Sequence, residues 1–480
     1  MGVGGWCVAS LLLLSGQEGR APAEERIAAL EAENATLRRT VAALTARVAD
    51  LEARLRADST TSSRPPSSDG LANKPATPRV SGGRRGEQPG TPGAHPARVA
   101  DPDVVVEREP AVCGGCGVGL DDAVSVLGVV ARQVFDVSPV RLAVTEHRAV
   151  RRRCGCGRVT AGAFPAAVTA PVRYGPGVRA LIGCLGVYQR LPVDRLAQLL
   201  CDVLGAPVST GTVAAVTAQA AAAVAPAVEA IADRLAAAAV VCADETGARV
   251  DGALHRGRVA AADTLTHYTV HPRRGCAATD AAGILPRLRG VMVHDGWAAY
   301  RGHTGAAHAL CNAHHLRELA GVIDADADAV WAAGLVEVLR QANRWVNHAR
   351  AAQDTRLPDH RHAAIAARCH GRVAQGLAAT AGTKTKAAAP AVRLGARAEE
   401  VSRFTSDFAV PFDNNQAKRD IRNLNIAQKV SGCWRTLPGA QAFAAVRSYV
   451  STQREHRQPI LPGLHAAFDG NPWLPPATAT

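Results

Sequence analysis

The hydrophobic period of this chain changes at Ala239, and that change narrows the possible folds more than any other feature. Upstream the apolar residues recur at helical spacing, but Val240-Val241-Cys242-Ala243 is a continuous apolar run ending in Asp244. A short run of this kind, bounded by turn residues, reads as a strand buried on both faces. Residues 256–261 and 266–270 read as two further strands with a turn between, and 290–297 as another buried strand carrying Asp295 at its end. Helical patterns lie on both sides. Leu181, Leu185, Tyr188 and Leu191 share one spacing, Pro192 starts a new element, and Ser209-Thr210-Gly211-Thr212 caps the next helix. From Glu318 to about Glu400 the chain is helical and alanine-rich, and Phe408 to Tyr449 closes with a long helical pattern. Strands enclosed by helices predict an α/β core.

Two buried strands that each end in an aspartate place carboxylates at a sheet edge, where they can hold magnesium. Two carboxylates and phosphate oxygens can bridge two divalent ions, one activating an attacking oxygen and the other stabilising the leaving one. Each aspartate alone is equally readable as a turn cap at a strand end.

The segments before this core have a different character. Ile27, Leu30, Leu37, Val41, Leu44, Val48, Leu51 and Leu55 fall at heptad a and d positions, with Asn34 at an a position. A buried amide there fixes a parallel two-stranded register, so 24–57 reads as a dimerising coiled coil. Residues 58–103 hold Lys74, Arg79, Arg84 and Arg85 among prolines and glycines and read as a disordered basic linker. Cys113-Gly-Gly-Cys116 and Cys154-Gly-Cys156 supply four thiols for a tetrahedral zinc within 104–170, the second spacing being tighter than a usual knuckle. Residues 131–150 alternate in places like strands, and Arg151, Arg152 and Arg153 form a basic edge. The reading is a zinc ribbon; four unligated core cysteines are the plain alternative. The short helices of 171–236 suit a DNA reader or a packing subdomain alike.

Charge and cysteine usage set the partners and compartment. Lysine and arginine number 55 against 42 acidic residues, a formal charge of +13, which favours a polyanionic partner. Twelve cysteines in 480 residues are too sparse for a disulfide scaffold, so a reducing cytoplasm is expected. No stretch is apolar enough to span a membrane, and the run from Trp6 to Leu14 lacks the basic start of a signal peptide. Residues 1–23 are left unassigned.

Asp244-Glu245-Thr246-Gly247, His294-Asp295-Gly296-Trp297, Cys311-Asn312-Ala313-His314-His315-Leu316-Arg317-Glu318-Leu319 and Asp413-Asn414-Asn415-Gln416-Ala417 occur in that order. With Tyr174-Gly175-Pro176, Tyr188-Gln189-Arg190-Leu191-Pro192 and Ser431-Gly432-Cys433-Trp434-Arg435, this arrangement closely resembles the transposases of the insertion-sequence 66 family. The heptads, the linker and the paired cysteines match that family's N-terminal layout too. The resemblance implies a ribonuclease H-like catalytic core (237–317, completed by 403–480) with a helical insertion at 318–402. It implies a DDE site using magnesium or manganese, cleavage and strand transfer at element ends, accessory proteins of the same element, and a bacterial, nucleoid-associated location. Asp244 is the first acid by motif and Asp295 the second. The family's third acid falls at Lys418, where this chain has an ammonium that cannot coordinate a metal and repels it.

Asp420 lies two residues on, roughly opposite on a helix, and Asp413 suits a helix cap, so neither replaces the missing acid. Arg419, Arg422, Lys429 and Arg435 suit a phosphate-lined channel or a solvated face. His315 and Glu318 read as a structural hydrogen-bonded pair more readily than as metal ligands, and Trp434 as a core residue. The expected protein is a DDE-type transposase impaired at its third acid. The rivals are a catalytically dead DNA-binding remnant or inhibitor of an intact relative, and a zinc-dependent regulator.

Overall fold

A computed structural model describes residues 23–56, 97–122, 124–137, 140–382 and 388–476. Helix α1 (Ala23–Arg56) contains no glycine or proline, as the heptads predict. Its a and d side chains Ile27, Leu30, Leu37, Val41, Leu44, Val48 and Leu51 are 46% to 60% exposed, so the stripe is uncovered within the chain. The linker expected at 58–103 lies outside the described residues as far as 96.

Among the described residues of the cysteine-bearing segment, the strands are β1 (Arg151–Arg153) and β2 (Val159–Ala161), an antiparallel pair. The strands expected within 131–150 are not among the described ones, and Val134 and Val144 there are almost wholly exposed. Alternation alone does not make a strand when no neighbouring strand covers its apolar face.

The chain divides into two compact units. The larger takes residues 71–313, 345–362 and 399–480. After β2 it holds α2 (Pro176–Gly183), which runs into a π-turn at Cys184–Tyr188, then α3 (Val193–Leu204), α4 (Thr210–Ala223) and α5 (Ala225–Ala236). Ser209 caps α4 as expected, its hydroxyl accepting from the Thr212 N–H at 3.1 Å. Ile182, Leu196, Leu200, Val208, Val213 and Val216 form the core of this helical group.

The strands follow: β3 (Val240–Val250), β4 (Ala253–Ala262) and β5 (Leu265–His271), then a short α6 (Cys276–Asp280), β6 (Val291–His294) and β7 (Ala307–Leu310). The sheet order is β5-β4-β3-β6-β7, with the first three antiparallel and β3, β6 and β7 parallel. Val241 and Ala243 turn toward a core of Ile231, Leu235, Ile284, Leu288, Met292 and Tyr300. Gly290 is required where the chain enters β6, since a Cβ there would lie 2.3 Å from the Ala239 carbonyl oxygen.

Past β7 come α7 (Asn312–Ala325), α8 (Val330–Ala351), α9 (Asp359–Ala379), α10 (Ala388–Ala396) and α11 (Ala398–Ser406). The smaller unit takes residues 1–70, 314–344 and 363–398 and so holds most of this helical segment. The chain closes with α12 (Asn415–Ser431), α13 (Leu437–Glu455) and α14 (Ile460–Phe468). Helix α12 lies close on β4 because Gly257 has no side chain: a Cβ there would sit 2.5 Å from Leu424 Cδ1.

Helix α13 seals the outer edge of β5. Ser448 Oγ accepts the Tyr268 N–H at 2.8 Å, and Thr452 Oγ1 accepts the Thr266 N–H at 3.2 Å. An edge strand otherwise presents unpaired amides, and buried hydroxyls here take the place of another strand. Among the described residues no single helix is long and apolar enough to cross a membrane.

Candidate active site

The register of two parallel strands brings the acids together. Cys242 of β3 pairs with Val293 of β6, and Asp244 and Asp295 each lie two residues further on. Side chains two residues apart share a face, so the carboxylates project from the same face of the sheet. Strand β3 runs on to Val250, so Asp244 lies within its strand and not at the strand end expected, while Asp295 does follow the end of β6. The Glu245 N–H donates to Asp244 Oδ1 at 2.9 Å. Asp295 stands just past β6 in a turn that needs Gly296 at a φ of 90°, and its Oδ1 accepts the Trp297 N–H at 2.9 Å.

The two acids interact. Burial raises the Asp244 carboxyl to about 7, and the charge of Asp295 adds to the rise. The Glu245 N–H and the positive charge of Lys418 act in the opposite direction. Behind them, buried Tyr300 is pushed up by burial and by the same two aspartates. His294, fully buried, accepts the Gly296 N–H on Nδ1 at 3.0 Å and lies 3.0 Å through Nε2 from His308 Nδ1. That bond fixes the turn that presents Asp295.

Lys418 belongs to this site. It lies in the first turn of α12, its Nζ 3.6 Å from Cys311 Sγ. Asn414 anchors that turn: its Nδ2 donates to the Ala243 carbonyl at 2.8 Å, and its own N–H donates to Cys311 Sγ at 3.2 Å. Asp413, expected to cap the helix, stands one residue before the N-cap Asn414 and accepts the Asn415 N–H at 3.0 Å in the turn that leads in. Asp420 points elsewhere, to the Thr266 hydroxyl at 3.5 Å, which Glu455 also accepts from at 3.0 Å. Cys311, Asn414 and Tyr300 were not singled out from the sequence. The first two lie inside the ordered motifs, so position relative to the acids was the signal available.

The remaining expected residues fall as follows. Arg419, Arg422 and Lys429 are exposed along α12, and Arg435 is exposed beyond it. Arg151, Arg152 and Arg153 are exposed on β1. Within the smaller unit Glu318 pairs with Arg393, not with His315. Both ring nitrogens of His315 lack a hydrogen-bond partner, and burial drops its basicity to about 3. The expected His315–Glu318 pair does not form. Trp434 is half-buried, its ring 5.5 Å from Phe443 and its backbone bonded to Arg249 and Asp251.

Each cysteine pair forms its own turn. The Cys113 N–H donates to the Val118 carbonyl at 2.8 Å and the Cys154 N–H to that of Arg158 at 2.8 Å. The N–H groups of Cys116 and Gly115 lower the Cys113 thiol below its ordinary range, and chiefly that of Cys156 does so for Cys154. Among the described residues, however, no three His, Cys, Asp or Glu side chains converge as a metal-holding group.

A family model described as Transposase IS66 family matches residues 171–442, more than half of the chain. A second, described as a family of unknown function (DUF6444), matches residues 19–97. No curated protein matches the chain.

Raised above its unfolded value, the Asp244 pKa favours folding at low pH, and that contribution is lost as pH rises from about 4 through about 7. Asp244→Asn is therefore expected to raise the melting temperature more at pH 8 than at pH 5. Carboxyl NMR should show Asp244 titrating near 7, with a lower midpoint in Asp295→Asn and a higher one in Lys418→Met. An Asp244 midpoint near 4 in the unmodified protein overturns this account.

Proposed function

The chain belongs to the IS66 transposase family, and from that premise we propose that it binds the ends of an insertion sequence through a ribonuclease H-like core whose cleavage step is impaired by Lys418. The observation that carries this reading is the position of Lys418, in the first turn of α12 with its charge acting on Asp244. The sheet order supports it too: three antiparallel strands, then two parallel ones, with acids on β3 and just past β6. So does the run of five helices between β7 and α12, where the family's insertion is expected.

Transposases of the DDE type generally use divalent metal, and the donors here do not fit a pair of such ions. Asp244 and Asp295 supply one carboxylate each, and the third place holds an ammonium. At an effective dielectric of about 20, two unit charges about 4 Å apart interact by about 4 kcal/mol. At ~1.4 kcal/mol per decade, that corresponds to roughly a thousandfold in rate. DNA binding does not depend on the third acid, because Arg419, Arg422, Lys429 and Arg435 are exposed and retain their charge. The helices α2 to α5 and the basic β1 edge are the other proposed contacts with element ends.

The protein is therefore either a strongly impaired transposase or a DNA-binding inhibitor of an intact relative, and one substitution separates them. Lys418→Glu is expected to restore nicking of cognate ends about a thousandfold with magnesium present, and adding Asp244→Ala should abolish it again. Equal cleavage by the unmodified protein and Lys418→Glu means that the third acid lies elsewhere.

The four cysteines are proposed to hold zinc, on the support of two preformed turns whose N–H groups favour thiolate. Freshly reduced protein should then contain about one zinc per chain, lost when Cys113, Cys116, Cys154 and Cys156 become serine. Metal analysis that finds none defeats this.

The uncovered stripe on α1 supports a homodimer. Residues 24–56 alone should sediment as a parallel dimer through Asn34; a monomer at high concentration counts against it.

A further inference from the structure

The sheet carries a second charged cluster on the face turned away from Asp244. Asp244 pairs with Val259, whereas Glu245 pairs with Arg258, so Glu245 and Arg258 project from the opposite face. There the Glu245 carboxylate accepts from Arg258 Nη2 at 2.8 Å and from Arg274 Nε at 2.8 Å, with Arg256 Nε at 3.9 Å. Three guanidinium groups thus share one carboxylate, an excess of two positive charges. Arg258 is buried, and its Nε and Nη1 have no hydrogen-bond partner. Buried positive charge is costly unless it is paired, so the cluster lacks a second anion.

The geometry also indicates where that anion enters. Arg274 is half exposed and its guanidinium lies 4.5 Å from the centroid of the Trp297 ring, a cation–π contact. The side chain of Arg256 is about a quarter exposed, so both have N–H groups open to solvent while Arg258 supports them from beneath. Planar guanidinium groups match phosphate oxygens in charge and in donor spacing. Trp297 is tied by its N–H to Asp295 Oδ1, so the cluster adjoins the loop carrying the second acid.

We propose that Arg256, Arg258 and Arg274, gathered around Glu245, form a phosphate-binding subsite for a DNA backbone, joined through Trp297 to the Asp295 loop. This rests on the DNA-binding reading above and adds a contact that the helix α12 arginines do not supply. Glu245 holds the guanidinium groups in place, Arg256 and Arg274 touch the phosphate, and Arg258 contributes its charge from below.

The test measures binding of the full chain to a fluorescent random-sequence duplex across a salt series. Each phosphate contact contributes about 0.9 to the slope of log K against log salt. Arg274→Ala and Arg256→Ala are each expected to lower the slope by about that amount and to weaken binding, whereas Arg274→Lys keeps the slope because the charge remains. Unchanged melting temperatures show that the variants are folded, and if one does not fold the other still decides. Slopes unaltered in both alanine variants, with normal binding by the unmodified chain, overturn the subsite and leave the DNA-binding reading standing. No binding of the unmodified chain to any duplex overturns both.

Discussion

The hydrogen bond from Asn414 Nδ2 to the Ala243 carbonyl is the interaction on which the candidate site depends. It joins the start of α12 to β3 one residue before Asp244, across a sequence separation that no local preference can bridge. Asn414 is fully buried, so losing the bond leaves a polar group unpaired, at a cost of about 1–3 kcal/mol. The bond from the Asn414 N–H to Cys311 Sγ ties the same turn to the end of β7. Lys418, one turn further on, is thereby held on the acid side of the sheet. A side chain on a helix turn pinned in this way by a buried amide has little freedom to move away from the acids.

The sheet is held from its far edge by an unusual covering. Helix α13 meets β5 with serine and threonine where an ordinary helix presents leucine. Ser448 and Thr452 pair with the amides of Tyr268 and Thr266, while Val446, Tyr449 and Val450 of the same helix are also buried. Net gain from each such bond is modest, about 1 kcal/mol, but the open edge they replace would be more costly. The same arrangement sequesters Asp420 and Glu455 at Thr266. Burial raises Glu455 to about 7, and Asp420 adds to that rise. Asp420 and Glu455 are therefore committed to the sheet edge and turned from Asp244 and Asp295.

Charge is segregated across the two faces of the sheet. On one face Asp244 and Asp295 meet Lys418; on the other Glu245 is outnumbered by Arg256, Arg258 and Arg274. Adjacent residues of one strand, Asp244 and Glu245, thus serve opposite environments because successive side chains point to opposite faces. Trp297 connects the two, bonded to Asp295 through its backbone and stacked on Arg274 through its ring.

The sequence by itself determined the local elements. A heptad stripe without glycine or proline dictates α1, a serine before a helical period dictates the start of α4, and two apolar runs dictate β6 and the first half of β3, which continues past Asp244 to Val250. The family was legible because its motifs occur in order. Tertiary structure decided what these elements meet. Only the parallel register of β3 and β6 places Asp244 beside Asp295, and only the seating of α12 over Gly257 turns Lys418 toward them and Asp420 away. Local pattern overstated the strands of 131–150 and the His315–Glu318 pair, since spacing along a chain reports which side chains share a face and not what lies opposite it. Pairing across long separations depends on burial and hydrogen bonding between elements, and that information exists only once the chain has folded.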